Sequence, residues 1–276
     1  MRSAALFLVT IVLLAAGAAT VVAAPRYQVT TASPAPSPLF VIEQPPPTPS
    51  PSPTPAPTLT TTTAPPATTN PAGTVTFPMP VYKQVMALDC ETAALQMGLA
   101  AMGHTYSQQA LFAGQNPDNS KPVMGPNKKV IRWGNPYVNF VGDVNGSDLV
   151  PSGYGVYYPP ILAIARSHGA PSSTGGENLS AAQVYAAVAA GHPVVVWVET
   201  GWENARAAGY TGFWTTFDGS RQIKYSLIEH AVTLSGVSVT QIRVNDPWKS
   251  GSQYWFNKAA FEASWADFNN MAVILQ

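Results

Sequence analysis

The chain has 276 residues, 14 Lys+Arg against 14 Asp+Glu, and only 10% charged residues, so its formal net charge is zero. That balance leaves no electrostatic footprint for a nucleic acid and no polybasic patch for anionic lipid, and neither is expected as a partner of the fold. A single cysteine makes an intramolecular disulfide impossible, so stability must come from a hydrophobic core.

Residues 1–24, MRSAALFLVTIVLLAAGAATVVAA, place Arg2 ahead of an apolar run and small residues before Pro25. This reads as an export signal cleaved after Ala24 or, uncleaved, as a membrane anchor, because the run from Ala4 onward is long enough to cross a bilayer. Either way the remainder is expected outside the cytoplasm, secreted or held at the cell surface. Residues 25–76 form a Pro-, Thr- and Ser-rich segment. Such a composition cannot bury enough apolar surface to offset ordering entropy. It is expected as a disordered, extended linker tethering the domain to a membrane or cell wall.

The folded domain is expected over residues 77–276. Within Gln84–Met102, QVMALDCETAALQMGLAAM, the unique Cys90 opens an apolar run of good helix propensity, with Asp89 as the N-cap. Unpaired N–H groups and the positive end of the helix dipole there favour thiolate and predict a pKa below the usual value of about 8.5, partly opposed by Asp89. Gln84 supplies an amide donor six residues earlier. A second short helix is predicted over Ser107–Ala113.

Residues 133–161 are rich in Gly, Pro, Asn and aromatics and read as loops walling a groove. Trp133, Tyr154 and Tyr157 are its expected substrate-binding residues. Asp143, Asn145, Ser147 and Asp148 miss the calcium-loop pattern and read as an Asx-turn, so no metal is expected. Ser180 caps a helix running to Ala190, and Pro193–Glu199 is a buried strand. Residues 201–226 read as a long excursion. Phe261, Trp265 and Phe268 recur at helical spacing and predict a core-facing stripe, and Met271–Leu275 closes the chain as a strand.

The stretch EHAVTLSGVSVTQIRVNDPW, residues 229–248, predicts a hairpin turning around Val237–Val239. The apolar pattern selects a register in which Gly236 faces Thr240, Leu234 faces Ile242 and Val232 faces Val244. The same register sets His230 opposite Asp246 on one face, with Asn245 on the other. A carboxylate on one ring nitrogen holds the imidazole and stabilises its cation, which makes Asp246 the expected orienting group.

Gln84, Cys90, His230 and Asp246 together make a donor, nucleophile, base and orienter. With FVG (140–142), GYGVY (153–157), GHPVVVW (191–197), EHAV (229–232) and VNDPW (244–248), the chain resembles the papain-like cysteine peptidase superfamily. It is most similar there to the bacteriocin-processing C39-like peptidases, in a stand-alone, secreted form. The resemblance covers nearly all of residues 77–276. It implies an α+β fold with a helical half carrying Cys90 packed on an antiparallel sheet carrying His230 and Asp246. It also implies an extracellular peptidase acting on a peptide or protein without a cofactor. In that reading Cys90 attacks, His230 transfers the proton, Asp246 orients His230, and Gln84 with the Cys90 N–H holds the oxyanion. A catalytically inactive surface binding module on the same fold and an amidase or acyltransferase acting on wall material are the alternatives.

Overall fold

The computed structural model describes residues 68–69, 73–202 and 208–276. The expected signal or anchor at 1–24 and most of the linker at 25–76 lie outside them. The elements, in order, are β1 (Thr68–Thr69), β2 (Val75–Thr76), α1 (Cys90–Ala101), α2 (Gln108–Ala113), β3 (Val123–Met124) and β4 (Val130–Trp133). Next come α3 (Tyr158–Ser167), β5 (Thr174–Gly176), α4 (Ala181–Ala189), β6 (Val194–Glu199), β7 (Thr211–Thr216) and β8 (Gln222–Ser226). The last are β9 (Glu229–Val237), β10 (Gln241–Asp246), β11 (Ser252–Asn257), α5 (Lys258–Trp265) and β12 (Ala272–Ile274).

The main sheet is built on β9, which pairs antiparallel with β6, β2 and β10; β12 and β5 extend it beyond β6, and β11 extends it beyond β10. All nine residues of β9 and all six of β6 are buried, so both faces of this sheet are covered. That explains why β6 reads as an unbroken apolar run rather than an alternating one. Val195, Trp197, Ala231 and Val273 join one core with Ala94 and Leu95 of α1. Val194, Val196, Val232, Leu234 and Val244 join a second with Val184 and Val188 of α4 and Phe261 and Trp265 of α5. The predicted stripe of Phe261, Trp265 and Phe268 is buried throughout.

Local chemistry explains most element ends. Ser180 accepts from the Gln183 N–H while the Gln183 side chain accepts from the Ser180 N–H, a complete capping box at α4. Ser180→Ala is expected to cost about 1 kcal/mol in chemical denaturation. Pro159 and Pro160 occupy the first turn of α3, where a missing N–H costs nothing, so this helix grows out of a stretch read as loop.

Residues 201–226 are a second departure. The expected excursion contains the hairpin β7–β8, which joins a smaller sheet with β3 and β4, the β4–β7 pair being parallel. Asp218 caps its turn by accepting from the Ser220 N–H, and Gly219 takes the positive φ of 75° that the turn demands.

The β9–β10 register is the third departure. Val237 faces Ile242 and Gly236 faces Arg243, but then Leu234 faces Val244 and Thr233 faces Asn245. Ser235 is the extra residue of a bulge. Without it the pairing would set Asp246 on the Thr233 face, turned away from His230. The bulge shifts the parity back and returns Asp246 to the face of His230, diagonal to it rather than directly opposite.

Candidate active site

Cys90 is the first residue of α1, and the helix is seated on β9 where Thr233 donates its hydroxyl to Ala94 O at 2.6 Å. Gly98 faces the C-terminal segment, where a Cβ would lie 2.4 Å from Leu275 Cδ1, and sits at ordinary contact distance from Thr233 of β9. Asp89 occupies the N-cap position but makes no side-chain cap hydrogen bond. Burial pushes its carboxyl up to about 7, with the Thr92 hydroxyl opposing.

The thiol's surroundings reverse the expectation of a depressed pKa. Cys90 Sγ donates to Glu91 Oε2 at 3.4 Å and lies 3.9 Å from Glu229 Oε2, and all three groups are buried. Burial first, then the charges of Glu229 and Glu91, push the thiol well above its ordinary value, and the Ala231 backbone hydrogen bond only partly offsets them. The helix dipole is outweighed because its partial charge acts across one turn, while desolvation and two carboxyls act at contact distance. Burial also raises Glu91 to about 7 and Glu229 well above a normal carboxyl. Gly155 makes room for the pair, since a Cβ there would fall 2.4 Å from Glu91 Oε1 and 3.0 Å from Glu229 Oε2. Glu229→Gln is expected to move the pH profile of Cys90 alkylation to lower pH, as a neutral amide cannot oppose the thiolate; an unmoved profile would refute that role.

On the neighbouring hairpin His230 Nε2 lies 2.8 Å from Asp246 Oδ1. A carboxylate can only accept, so Nε2 carries the proton and Nδ1 is left as the basic nitrogen of the neutral ring. Asp246 also accepts from the Trp248 N–H at 2.9 Å and from the Tyr254 hydroxyl at 2.8 Å, and Tyr254 in turn accepts from Trp202 Nε1 at 3.0 Å. Burial works against the Asp246 charge, but the His230 contact and these donors hold its carboxyl below the usual range. Asn245, on the other face, is spent on Ser235, Gln253 and Pro80.

Gln84, Cys90 and His230 share one cleft of about 210 Å³, whose lining includes Leu88, Asp148, Ile228 and Trp248. The approach segment is pinned where Gln84 N donates to Pro247 O at 3.0 Å, next to Asp246. Gln84 Nε2 donates to Met86 O and Ala87 O, and its Oε1 is buried without a donor. The amide expected to face the reacting atom is thus engaged by local carbonyls. Among the described residues the hydrogen bonds of Sγ run to the two glutamates and the Ala231 backbone, and none joins it to His230.

Of the expected substrate-binding aromatics, only Tyr154 reaches this cleft. Trp133 and Tyr157 are fully buried: Trp133 Nε1 donates to Ser120 O, and the Tyr157 hydroxyl donates to Lys224 O. Their size and rigidity serve the core, where Trp133 packs at a tilt on Tyr154 and Trp214, and Tyr154 meets Trp214 edge to face. The oxygen-rich stretch forms the expected Asx-turn, Asp143 Oδ1 accepting from the Asn145 N–H. The sequence gives Glu91, Glu229 and Tyr254 no role at the site, and Asp148 only a place in the Asx-turn stretch. Alternation puts Glu229 with Ala231, Thr233 and Ser235 on the face toward α1, a mixed polar face on which an acid gives no signal of its own.

A thiol at a helix start and a carboxylate-held imidazole on the adjoining sheet, in a mixed frame of helices and antiparallel strands, define the α+β fold of the C39 peptidases. The chain belongs to the Peptidase_C39 like family, whose model matches residues 77–273. A Bacillus subtilis (strain 168) relative, the uncharacterized protein YvpB, is 31% identical over 190 residues, covering 68% of each chain. A crystal structure assigned to a C39-like peptidase from Bacillus anthracis superposes with a TM-score of 0.59 at 24% identity, covering 71% of this chain and 94% of that one. The peptidase domain of Streptococcus ComA, a bi-functional ABC transporter, gives a TM-score of only 0.40 at 14% identity, over 71% and 96% of the two chains.

Proposed function

We propose that this protein is a cysteine peptidase that hydrolyses peptide bonds through Cys90, His230 and Asp246. The observation that carries the reading is the shared cleft of Gln84, Cys90 and His230, with His230 held at 2.8 Å by Asp246. In the proposed cycle a peptide enters the cleft and Sγ rotates about χ1 from Glu229 toward His230. The thiol proton passes to His230 Nδ1 as sulfur attacks the carbonyl carbon. Collapse of the tetrahedral adduct breaks the C–N bond, and His230 returns its proton to the departing amine. Water, deprotonated by the same nitrogen, then releases the acyl group. The Cys90 N–H at the start of α1 is suited to receive the oxyanion, and Gln84 joins it once its amide leaves the Met86 and Ala87 carbonyls.

The apolar segment at 1–24 and the Pro/Thr-rich segment at 25–76 support a site of action outside the cytoplasm, with the domain tethered to a membrane or wall. The rival reading, a retired binding module, draws support from the carboxyls that oppose thiolate formation and from the engaged Gln84 amide. Turnover of a quenched-fluorescence peptide library separates the two. Cleavage that stops on Cys90 alkylation is expected; cleavage that survives alkylation, or none from any peptide, would remove the peptidase reading.

A further inference from the structure

The cleft around Cys90 has an asymmetric lining. Leu88, Leu149, Ile228 and Trp248 supply apolar wall, Asp148 and Glu229 supply carboxyls, and among the described residues no lysine or arginine lines it. The two acids are not equivalent. Glu229 is deep, beside the thiol and the buried Glu91. Asp148 sits higher, half-buried, next to Leu149, which is 54% exposed. Its Oδ1 accepts from the Leu149 N–H at 2.8 Å, a bond that fixes the side chain. Lys249, which follows the lining Trp248, is held over the face of that indole at 3.9 Å and is not part of the lining.

A carboxyl fixed in this way, on a wall of aliphatic and indole surface, is complementary to a long side chain with an apolar stem and a cationic head. The stem would lie on Leu149 and Trp248, and the head would reach Asp148. The pair would be partly desolvated, where a charge-assisted hydrogen bond is stronger than at an open surface. Burial raises the Asp148 carboxyl, with the Leu149 N–H and, less strongly, the nearby His230 opposing.

We propose that Asp148 is a specificity-determining residue that selects peptides carrying a side-chain ammonium or guanidinium next to the bond attacked by Cys90. The claim about substrate rests on the peptidase reading; the claim of a cation subsite beside the thiol does not.

Two measurements on the full chain keep these apart. The first follows modification of Cys90 by methanethiosulfonate reagents, one bearing a trimethylammonium and one a sulfonate, in the wild type and in Asp148→Asn. Asparagine keeps an oxygen for the Leu149 N–H, and circular dichroism verifies the fold. The wild type is expected to favour the cationic reagent by roughly tenfold or more, with most of that ratio lost in the variant. The second compares cleavage of paired peptides with lysine or its uncharged isostere norleucine on either side of the scissile bond. A Lys:norleucine ratio in kcat/KM of roughly ten- to a hundredfold should fall toward one in Asp148→Asn. Labelling selectivity without turnover of any peptide would uphold the cation subsite and sink the peptidase reading. Equal labelling by the two reagents, a ratio unchanged in the variant, or a thiol that neither reagent reaches would overturn the proposal.

Discussion

Cys90→Ala is expected to abolish peptide turnover and to unfold close to the wild-type midpoint, and His230→Ala to lower turnover by about three orders of magnitude or more and to unfold earlier, because it leaves the buried Asp246 carboxylate without its imidazole partner. In the proposed cycle the sulfur is the atom that forms the acyl intermediate, and it is the chain's single thiol. Its removal deletes little packing, since a buried thiol has roughly the area of one methyl or methylene group, worth about 1 kcal/mol. In the same cycle His230→Ala removes the acceptor of the thiol proton, and that loss is expected to be severe. Two carboxyls 3.4 and 3.9 Å from Sγ oppose a thiolate that could form without a base. Asp246→Asn should fall between these variants and the wild type. It leaves an oxygen for the His230 N–H but withdraws the charge that stabilises the imidazolium, and the amide can turn its NH₂ toward the ring. Initial rates on a shared peptide, with denaturant melts in parallel, check all three; equal turnover in Cys90→Ala and wild type would end the mechanism.

Glu91→Gln is expected to stabilise the domain at pH 8 by about 2–3 kcal/mol and to change it little at pH 4. The folded carboxyl is raised from 4.5 to about 7, chiefly by burial, with the Val156 N–H partly opposing. A carboxyl raised in the fold favours the native state while protonated. Its contribution is complete below about 4.5 and is lost as pH rises through about 7. Asp89, also raised to about 7, and Glu229, raised well above normal, act in the same direction. The three share one field and do not add. Asp246, lowered below 3.8, acts the other way, and its contribution is lost only as pH falls through that lower range. Wild-type stability is therefore expected to decline between pH 5 and pH 8. Glutamine at 91 can still accept from the Val156 N–H, which reaches Glu91 Oε1 at 2.6 Å, without carrying a charge. Urea melts at the two pH values test this. A wild type equally stable at both, or a variant weakened at pH 8, would contradict the assignment.

These two sets of predictions differ in origin. The first follows from residues legible in the sequence: a lone cysteine at a helix start, and a histidine and aspartate near opposite ends of one hairpin pattern. The second follows from residues whose meaning depends on distant partners. Cys90 and Glu229 are 139 positions apart, and Glu91 and Val156 are 65 apart. Neither spacing leaves a periodic mark. The β7–β8 hairpin shows an intermediate case. Its Asp218-Gly219 turn signal was present, but polar residues and glycines around it masked the alternation of exposed Phe213 and buried Trp214.

Taken alone, the sequence determined the helices of Cys90 and Ser180, the buried strand at 194–199 and the terminal stripe. Each of these rests on side-chain period or capping, which act over a few residues. Tertiary structure decided the bulge at Ser235, which keeps Asp246 rather than Asn245 on the face of His230, and the burial of Trp133 and Tyr157. It also turned the Gln84 amide to local carbonyls and gave the thiol a high rather than a low pKa. Desolvation is set by everything that packs around a group, so the ionisation of Cys90 came into being only when Glu91, Gly155 and Glu229 closed over it.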